Sequence, residues 1–144
     1  MKRMICRRAL IIAFFALLLT SKAALAASPT AYVGRWEDAV SQRAWLLIDQ
    51  NWDEDFDVRV FWGSGIYGGS EWYMTATYDP TVGQIVYNNG TSYTVTYDGN
   101  GKATDYHLNY DGATGIIWID GNGYLRFLCS DSSLSGCRFV WSGY

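Results

Sequence analysis

Apolar and polar residues alternate along the chain from Tyr32 onward, and turn-forming residues interrupt the alternation every eight to twelve positions. Period two is the repeat of a half-buried strand, and short strands at this spacing are typical of an all-β sandwich or barrel. The pattern predicts ten strand candidates, which are Tyr32–Glu37, Arg43–Asp49, Phe56–Trp62, Glu71–Tyr78, Gln84–Tyr87, Ser92–Tyr97, Thr104–Tyr110, Gly115–Ile119, Tyr124–Cys129 and Arg138–Trp141.

The alternation also assigns the residues to two faces of the sheet. Apolar and aromatic residues fall on one face, whereas Ser, Thr, Asp and Arg dominate the other. A meander of short strands with one buried face and no covering helix removes its exposed edges by closing on itself. We therefore expect an antiparallel up-and-down β-barrel of about eight strands. The predicted inner face includes Tyr93, Val95 and Tyr97 in one strand and Tyr106, Leu108 and Tyr110 in the next.

The ten candidates exceed the eight expected places, and two interpretations remain open. Either Tyr106–Ile119 is one strand interrupted at Asp111-Gly112, or the barrel has ten strands. Eight are favoured, because ten full-length strands would strain a domain of this length. Asx-Gly pairs tolerate the positive φ of tight hairpin turns, and they predict turns at Asn89-Gly90, Asp98-Gly99, Asp111-Gly112 and Asp120-Gly121. The tetrapeptide Asp-Gly-Asn-Gly occurs at 98 and again at 120, which predicts two similar turns.

Residues 1–26 have the organisation of a secretory signal peptide. A basic start precedes the apolar run Ala9–Leu19, and the small residues Ala24-Leu25-Ala26 suit a signal peptidase. The apolar run is too short to cross a bilayer, which takes about 20 residues. We expect cleavage after Ala26, a single barrel domain at 27–144 and a secreted or periplasmic location. The pair Arg7-Arg8 leaves the general and the twin-arginine export routes open.

The charge of the remaining chain narrows the class of function. The whole sequence has a formal net charge of −3, but residues 27–144 hold all 14 acids and only six of the 11 cations, a net charge of −8. Such a chain does not neutralise a phosphate backbone, which excludes nucleic acid as a partner. The single histidine, His107, falls on the polar face with no nucleophile beside it. We expect no catalytic residues, no metal ligands and no cofactor.

Cys129 and Cys137 are the two cysteines that remain after the expected cleavage. Because paired cysteines in an exported chain usually cross-link, the sequence predicts a disulfide that clips a hairpin.

The segment Gly34-Arg35-Trp36 opens the first predicted strand, and it resembles the Gly-x-Trp opening of the calycins, the small exported barrels that include lipocalins and avidins. The segment also resembles uncharacterised calycin-like exported proteins of bacteria. The resemblance implies that Gly34 permits close entry of the chain and that Trp36 plugs the closed end. It also implies that an arginine near the last strand packs over Trp36, and this arginine is Arg138 by position, with Arg126 as the alternative.

The aromatic residues carry the remaining functional hypotheses, because 22 of them lie in residues 27–144. Rings on an inner face either line a ligand pocket or fill the barrel. The candidate ligand-binding residues are Trp62, Trp72, Tyr87, Tyr93 and Trp118. The first hypothesis is a non-enzymatic barrel that binds a small apolar or amphipathic ligand at one mouth. The alternative is an interaction protein, such as an inhibitor of an exported hydrolase. Polar outward positions argue against a membrane-spanning barrel.

Overall fold

Eight antiparallel strands form the molecule, as a computed structural model shows for residues 26–130 and 136–143. Each strand pairs with the next along the chain, and β1 also pairs with β8, so that the sheet closes into one barrel. The predicted up-and-down barrel of about eight strands is confirmed. The strands are β1 (Gly34–Asp38), β2 (Ala44–Gln50), β3 (Phe56–Gly65), β4 (Gly68–Asp79), β5 (Gln84–Tyr97), β6 (Ala103–Ile119), β7 (Leu125–Cys129) and β8 (Phe139–Gly143).

The expected signal peptide lies outside the described residues, apart from its last residue. A 3₁₀ turn, Pro29–Tyr32, precedes β1. In the described part of the chain, no helix has the length and apolar character needed to cross a membrane.

The strand number falls from ten to eight because two predicted turns are not turns. Asn89-Gly90 lies within β5 and Asp111-Gly112 lies within β6, and both mark irregularities of one continuous strand pair. The interpretation of Tyr106–Ile119 as one strand is therefore confirmed, whereas the predicted hairpin turns at these two positions are wrong. Antiparallel strands accommodate such extra residues as β-bulges.

These bulges change which residues face inward. The β4–β5 register passes from Thr77 opposite Val86 to Tyr73 opposite Thr91, which leaves one extra residue in β5. Because strand side chains alternate with period two, one extra residue reverses the faces beyond it. Tyr93, Val95 and Tyr97 therefore face outward, contrary to the prediction.

A second bulge has the same effect on β6. The register passes from Ser92 opposite Tyr110 to Tyr93 opposite Leu108, so that Asn109 is the extra residue. Tyr110 packs against the core as predicted. Tyr106 and Leu108 instead face outward, with exposed fractions of 50% and 51%.

The barrel interior is filled with apolar side chains from all eight strands. Leu46, Val60, Ile85, Ile117 and Phe139 have no exposed surface, and rings and methyl groups from the other strands pack between them. Close packing of this kind supplies most of the stability of a small domain.

The 3₁₀ turn closes one end of the barrel. The Tyr32 ring is fully buried against Phe56 and Tyr78, and its hydroxyl donates a hydrogen bond of 2.6 Å to the Gly83 carbonyl. Burial raises the pKa of Tyr32 to about 12. The Tyr78 hydroxyl also donates to the Ala27 carbonyl at 2.7 Å. The end where β1 begins is therefore sealed by side chains and by hydrogen bonds to the backbone.

Three hairpin turns have the same internal hydrogen bonds. In the turns that begin at Asp98 and Asp120, the side-chain Oδ1 accepts hydrogen bonds from backbone N–H groups two and four residues later. The two turns predicted to be similar are therefore alike. Asn51 builds a third turn of this kind, in which its Oδ1 accepts from the N–H groups of Asp53 and Asp55.

Candidate functional site

The structure separates the five candidate ligand-binding residues. Trp62, Trp72 and Tyr87 lie on the inner face. Tyr93 lies on the outer face, because it pairs with the outward Glu71 beyond the β5 bulge. Trp118 also points outward, because it alternates with the fully buried Ile117. The structure thus places only three of the five candidate residues together on the inner face.

The inner rings contact one another and the barrel wall. The Trp72 indole N–H donates a hydrogen bond of 2.8 Å to the Tyr110 hydroxyl. The Tyr87 ring stacks on Phe127 with 5.9 Å between ring centres, and its hydroxyl donates to the Leu128 carbonyl at 3.4 Å. Burial raises the pKa of Tyr87. Trp72 and Tyr87 therefore fill the interior and satisfy their polar atoms within the protein.

A second cluster lies on the outside of β2–β6, and we call it the outer aromatic wall. Its rings surround one ion pair, and several of its members keep exposed surface. The outer aromatic wall consists of Trp45, Arg59, Phe61, Glu71, Tyr73, Tyr93, Val95, Tyr97, Tyr106 and Leu108.

Glu71 lies at the centre of the outer aromatic wall and has no exposed surface. Its carboxylate accepts hydrogen bonds from Arg59 Nη2 at 2.9 Å, from the Tyr97 hydroxyl at 2.7 Å and from the Tyr73 hydroxyl. Burial by itself raises the pKa of Glu71, but these three donors and the Arg59 charge outweigh it and hold the pKa below its ordinary value. Glu71 is therefore an ionised structural carboxylate.

The pKa values of Tyr73 and Tyr97 are shifted in the opposite direction to that of Glu71. Burial and the hydrogen bond to Glu71 raise the pKa of Tyr73 to about 12, and the same causes raise the pKa of Tyr97. Both phenols stay protonated and remain donors to the carboxylate at physiological pH. The arrangement fixes three strands to one another, and both carboxylate oxygens of Glu71 accept hydrogen bonds from within the protein.

Arg59 joins the ion pair to the rings. Its guanidinium lies 5.2 Å from the Trp45 ring centre and 5.6 Å from that of Tyr73. Arg35, which pairs with Glu37 at 3.0 Å, lies over the same indole at 4.9 Å. Two cations therefore contact Trp45, and cation–π contacts of this kind contribute about 0.5–1 kcal/mol each at exposed sites.

Ring-to-ring contacts extend the wall across the sheet. Phe61 stacks on Trp45 with 5.5 Å between ring centres and meets the Tyr97 ring edge-on. Tyr93 contacts Tyr73 and Tyr106 edge-on, at 6.1 Å in both cases. Aromatic side chains have only two rotatable χ angles, and those held in such contacts lose little further conformational entropy on binding. The wall is therefore a preorganised surface.

A groove of about 440 Å³ borders the outer aromatic wall on the side of the Asn51 turn. Arg59 and Tyr73 form the boundary that it shares with the wall, and Asp49 and Asp57 face each other across β2 and β3 within it. The remaining lining residues are Leu47, Val58, Met74, Thr75 and Asn89. The wall therefore passes into an acidic surface.

The residues of the Gly-x-Trp segment lie at the start of β1. Gly34 has a φ of +124°, and a Cβ there would lie 2.6 Å from the Trp141 Nε1 atom, so that no other residue fits. The Trp36 indole is buried, and its N–H donates to the Tyr32 carbonyl at 2.9 Å. The Arg138 guanidinium lies 5.5 Å from the Tyr124 ring centre. Its cation–π contact is therefore with Tyr124 and not with Trp36.

Cys129 and Cys137 are free thiols in the structure, so the predicted disulfide is not formed. Cys129 is buried, and its Sγ lies 4.0 Å from the Tyr110 hydroxyl. Cys137 is half-buried, and burial together with the Asp38 charge raises the pKa of its thiol.

The pairing of β7 with β8 does not extend to the two thiols. In the described residues, Leu125 of β7 pairs with Phe139 of β8, and Cys137 precedes the start of β8.

His107 is exposed on β6. Residues 26–130 and 136–143 contain no group of three or more His, Cys, Asp or Glu side chains placed to hold a metal ion.

Comparison of the chain with protein-family models, curated proteins and solved structures finds no match. Sequence reasoning missed Trp45, Arg59, Phe61 and Glu71 as site residues. A signal was present, since Trp45, Phe61 and Tyr73 are aromatic residues at outward positions of three consecutive strands.

Proposed function

We propose that the protein is an exported, non-enzymatic interaction protein that binds another protein through the outer aromatic wall. The observation that carries this proposal is the contrast between the two aromatic sets. The inner rings are packed against one another inside the barrel, whereas the outer rings are organised around the Glu71–Arg59 ion pair and keep accessible surface.

The residue types of the wall support a protein partner. Trp, Tyr and Arg are the residues most enriched at the energetic centres of protein interfaces. They contribute a large contact area from few rotatable bonds, and here the Glu71 hydrogen bonds hold them in place before a partner arrives. A preorganised surface loses less entropy on association.

The charge around the wall indicates the sign of the partner's charge. The bordering groove contains Asp49 and Asp57, and the Asn51 turn adds Asp53, Glu54 and Asp55. Complementary charge accelerates association and selects among partners. A basic exported protein fits this surface, and inhibition of an exported hydrolase with a basic cleft is the form of the proposal that the acidic border favours.

The test compares two tryptophan variants in capture experiments from secreted and envelope fractions. Trp45→Ser removes the ring between Arg35 and Arg59, whereas Trp52→Ser removes a ring that is fully exposed in the Asn51 turn. The proposal predicts that wild type and Trp52→Ser retain the same basic protein and that Trp45→Ser loses it. Equal retention by all three proteins, or loss with Trp52→Ser alone, would contradict the wall as the binding surface.

A second candidate function is the binding of a small apolar or amphipathic ligand at the end of the barrel opposite the 3₁₀ turn. The observation that favours it is Trp62, whose half-buried ring packs against the core near the end of β3. Saturable quenching of tryptophan fluorescence by envelope lipid extracts, absent in Trp62→Leu, is the expected result. The proposal also includes the resemblance to calycins, the signal peptide and the secreted or periplasmic location.

A further inference from the structure

In the described part of the chain, Ala103–Leu108 of β6 has a strand neighbour on only one side. Gly115–Ile119 also pairs with β7, whereas Ala103–Leu108 pairs only with β5. Residues 104–109 are all exposed. A strand edge of this kind presents unpaired backbone N–H and C=O groups, which are a template for another strand.

Two bulges limit the regular part of this edge. Thr104 is the extra residue at one end and Asn109 is the extra residue at the other, so that Asp105–Leu108 runs in one unbroken register with Thr96–Tyr93. Bulges twist an edge away from regular pairing. A strand that adds to β6 must therefore be short and must align with these four residues.

The same four residues are complementary to a second copy of themselves. In an antiparallel pair centred on Tyr106, Asp105 faces His107 of the second copy, and the two Tyr106 rings face each other. The Asp105–His107 pair places a hydrogen-bond acceptor opposite an imidazole. The Tyr106 pair adds contact between the two rings next to Leu108. Centring on Leu108 would instead place Asp105 opposite Asp111, and like charges directly opposite are destabilising.

We propose that two copies of the chain associate edge to edge through β6, antiparallel and centred on Tyr106. Tyr106 and Leu108 belong to the outer aromatic wall, with exposed fractions of 50% and 51%. Pairing brings the two walls side by side in one continuous sheet. The dimer is weak, since a ladder of this length buries far less than the area of stable interfaces.

Sedimentation at increasing protein concentration tests the association. The wild-type protein is expected to shift reversibly from monomer to dimer. Leu108→Lys is expected to weaken dimerisation at least tenfold, because lysine on an edge opposes pairing. Val86→Lys, a change at a comparably exposed valine in the interior of the sheet, is the matched control and should dimerise like wild type. A wild-type protein that stays monomeric throughout would overturn the proposal.

Cross-linking tests the register. Residues directly opposite in an antiparallel pair have Cα atoms about 4.5–5.5 Å apart, within reach of a disulfide. Tyr106→Cys should therefore form a disulfide-linked dimer under mild oxidation. Leu108→Cys, equally exposed on the same face, should not, because two copies of position 108 would be four strand positions apart. The wild-type protein is the control for cross-linking through Cys129 or Cys137. Equal cross-linking of the two variants, with circular dichroism showing both folded, would overturn the register.

Discussion

At the scale of single residues, Glu71 is the side chain on which the outer aromatic wall depends. It links Arg59 of β3, Tyr73 of its own strand and Tyr97 of β5. Removing one partner of a buried charged group leaves the others without compensation, which is more destabilising than the loss of a surface pair. The wall is therefore expected to respond to this position more than to any exposed ring.

Replacing Glu71 with glutamine should lower the free energy of unfolding by about 2–3 kcal/mol, since hydrogen bonds to a buried charge are lost. The matched control is Glu37→Gln, which removes the exposed pair with Arg35 and should cost less than about 1 kcal/mol. Urea unfolding at pH 7 measures both. Equal losses for the two variants would show that Glu71 has no special role.

The same carboxylate predicts a pH dependence. Because the folded-state pKa of Glu71 is lowered, its contribution to stability is present above the ordinary glutamate pKa of about 4.3 and is lost as the pH falls through the folded-state pKa. Wild type should thus lose more stability than Glu71→Gln between pH 5 and pH 3 in urea titrations. Parallel pH profiles for the two proteins would contradict this assignment.

The two cysteines make a prediction about reactivity. Cys129 is buried, and the pKa of Cys137 is raised by burial and by Asp38, so both thiols should react slowly with a thiol reagent in the native protein. Denaturation should release both. Peptide mapping after alkylation, without reductant, measures each thiol separately. Recovery of a peptide in which Cys129 and Cys137 are linked would restore the disulfide that the sequence predicts.

At the scale of elements, the three related turns provide an internal comparison. The fourth position of the turn has a positive φ in all three, and it is Gly101 and Gly123 in two of them but Glu54, with a φ of 64°, in the third. A non-glycine residue in this region costs about 1 kcal/mol. The Asn51 turn therefore keeps an acidic residue at a position that favours glycine.

Glu54→Gly should stabilise the protein by up to about 1 kcal/mol, because it relieves this conformation. Gly123→Ala is the converse change and should destabilise it by a similar amount. Thermal unfolding of the two variants measures the difference. A loss of stability in Glu54→Gly would mean that contacts of the Glu54 side chain outweigh its backbone conformation.

The strands themselves were largely predictable from the sequence. Period-two alternation located all eight, and the inner faces of β2, β3 and β4 are the predicted ones, as Leu46, Val60 and Met74 show. Asx-Gly pairs correctly located the turns at Asp98 and Asp120. The same dipeptides at 89 and 111 misled the prediction, because a residue pair that suits a tight turn also suits a bulge.

The candidate site was less predictable, for a reason that follows from the bulges. A strand pattern fixes the face of each residue only relative to its neighbours, and one extra residue reverses every assignment beyond it. Tyr93, Tyr97 and Tyr106 accordingly lie in the outer aromatic wall and not on the predicted inner face. The pairing of Glu71 with Arg59 and two tyrosines depends on contacts across three strands, which no local pattern contains.

At the scale of the whole molecule, the barrel carries two separate clusters of side chains, one inside the sheet and one outside it. The interior is packed and one end is sealed by Tyr32, so the core holds the fold. The outer aromatic wall is a second cluster on the other side of the same sheet, with its own buried residues, Glu71 and Val95. The proposed binding at the wall therefore requires no rearrangement of the core.

This separation predicts how the protein responds to apolar dyes. A polarity-sensitive naphthalene sulfonate should bind the outer surface, and its binding should fall in Trp45→Ser. It should be insensitive to Trp72→Phe, which changes the interior. Fluorescence titration of both variants distinguishes the two sites. The opposite pattern would indicate a ligand cavity inside the barrel and favour the carrier hypothesis.

Oxidative footprinting of the complex between the protein and its captured partner shows whether the outer aromatic wall is the binding surface. Labelling of side chains, read by mass spectrometry, reports which rings a partner covers. We expect protection of Trp45, Tyr73 and Tyr106 in the outer aromatic wall, with Trp52 and Tyr67 in the exposed turns labelled as in the free protein. Protection of Trp52 or Tyr67 with an unprotected wall would contradict it.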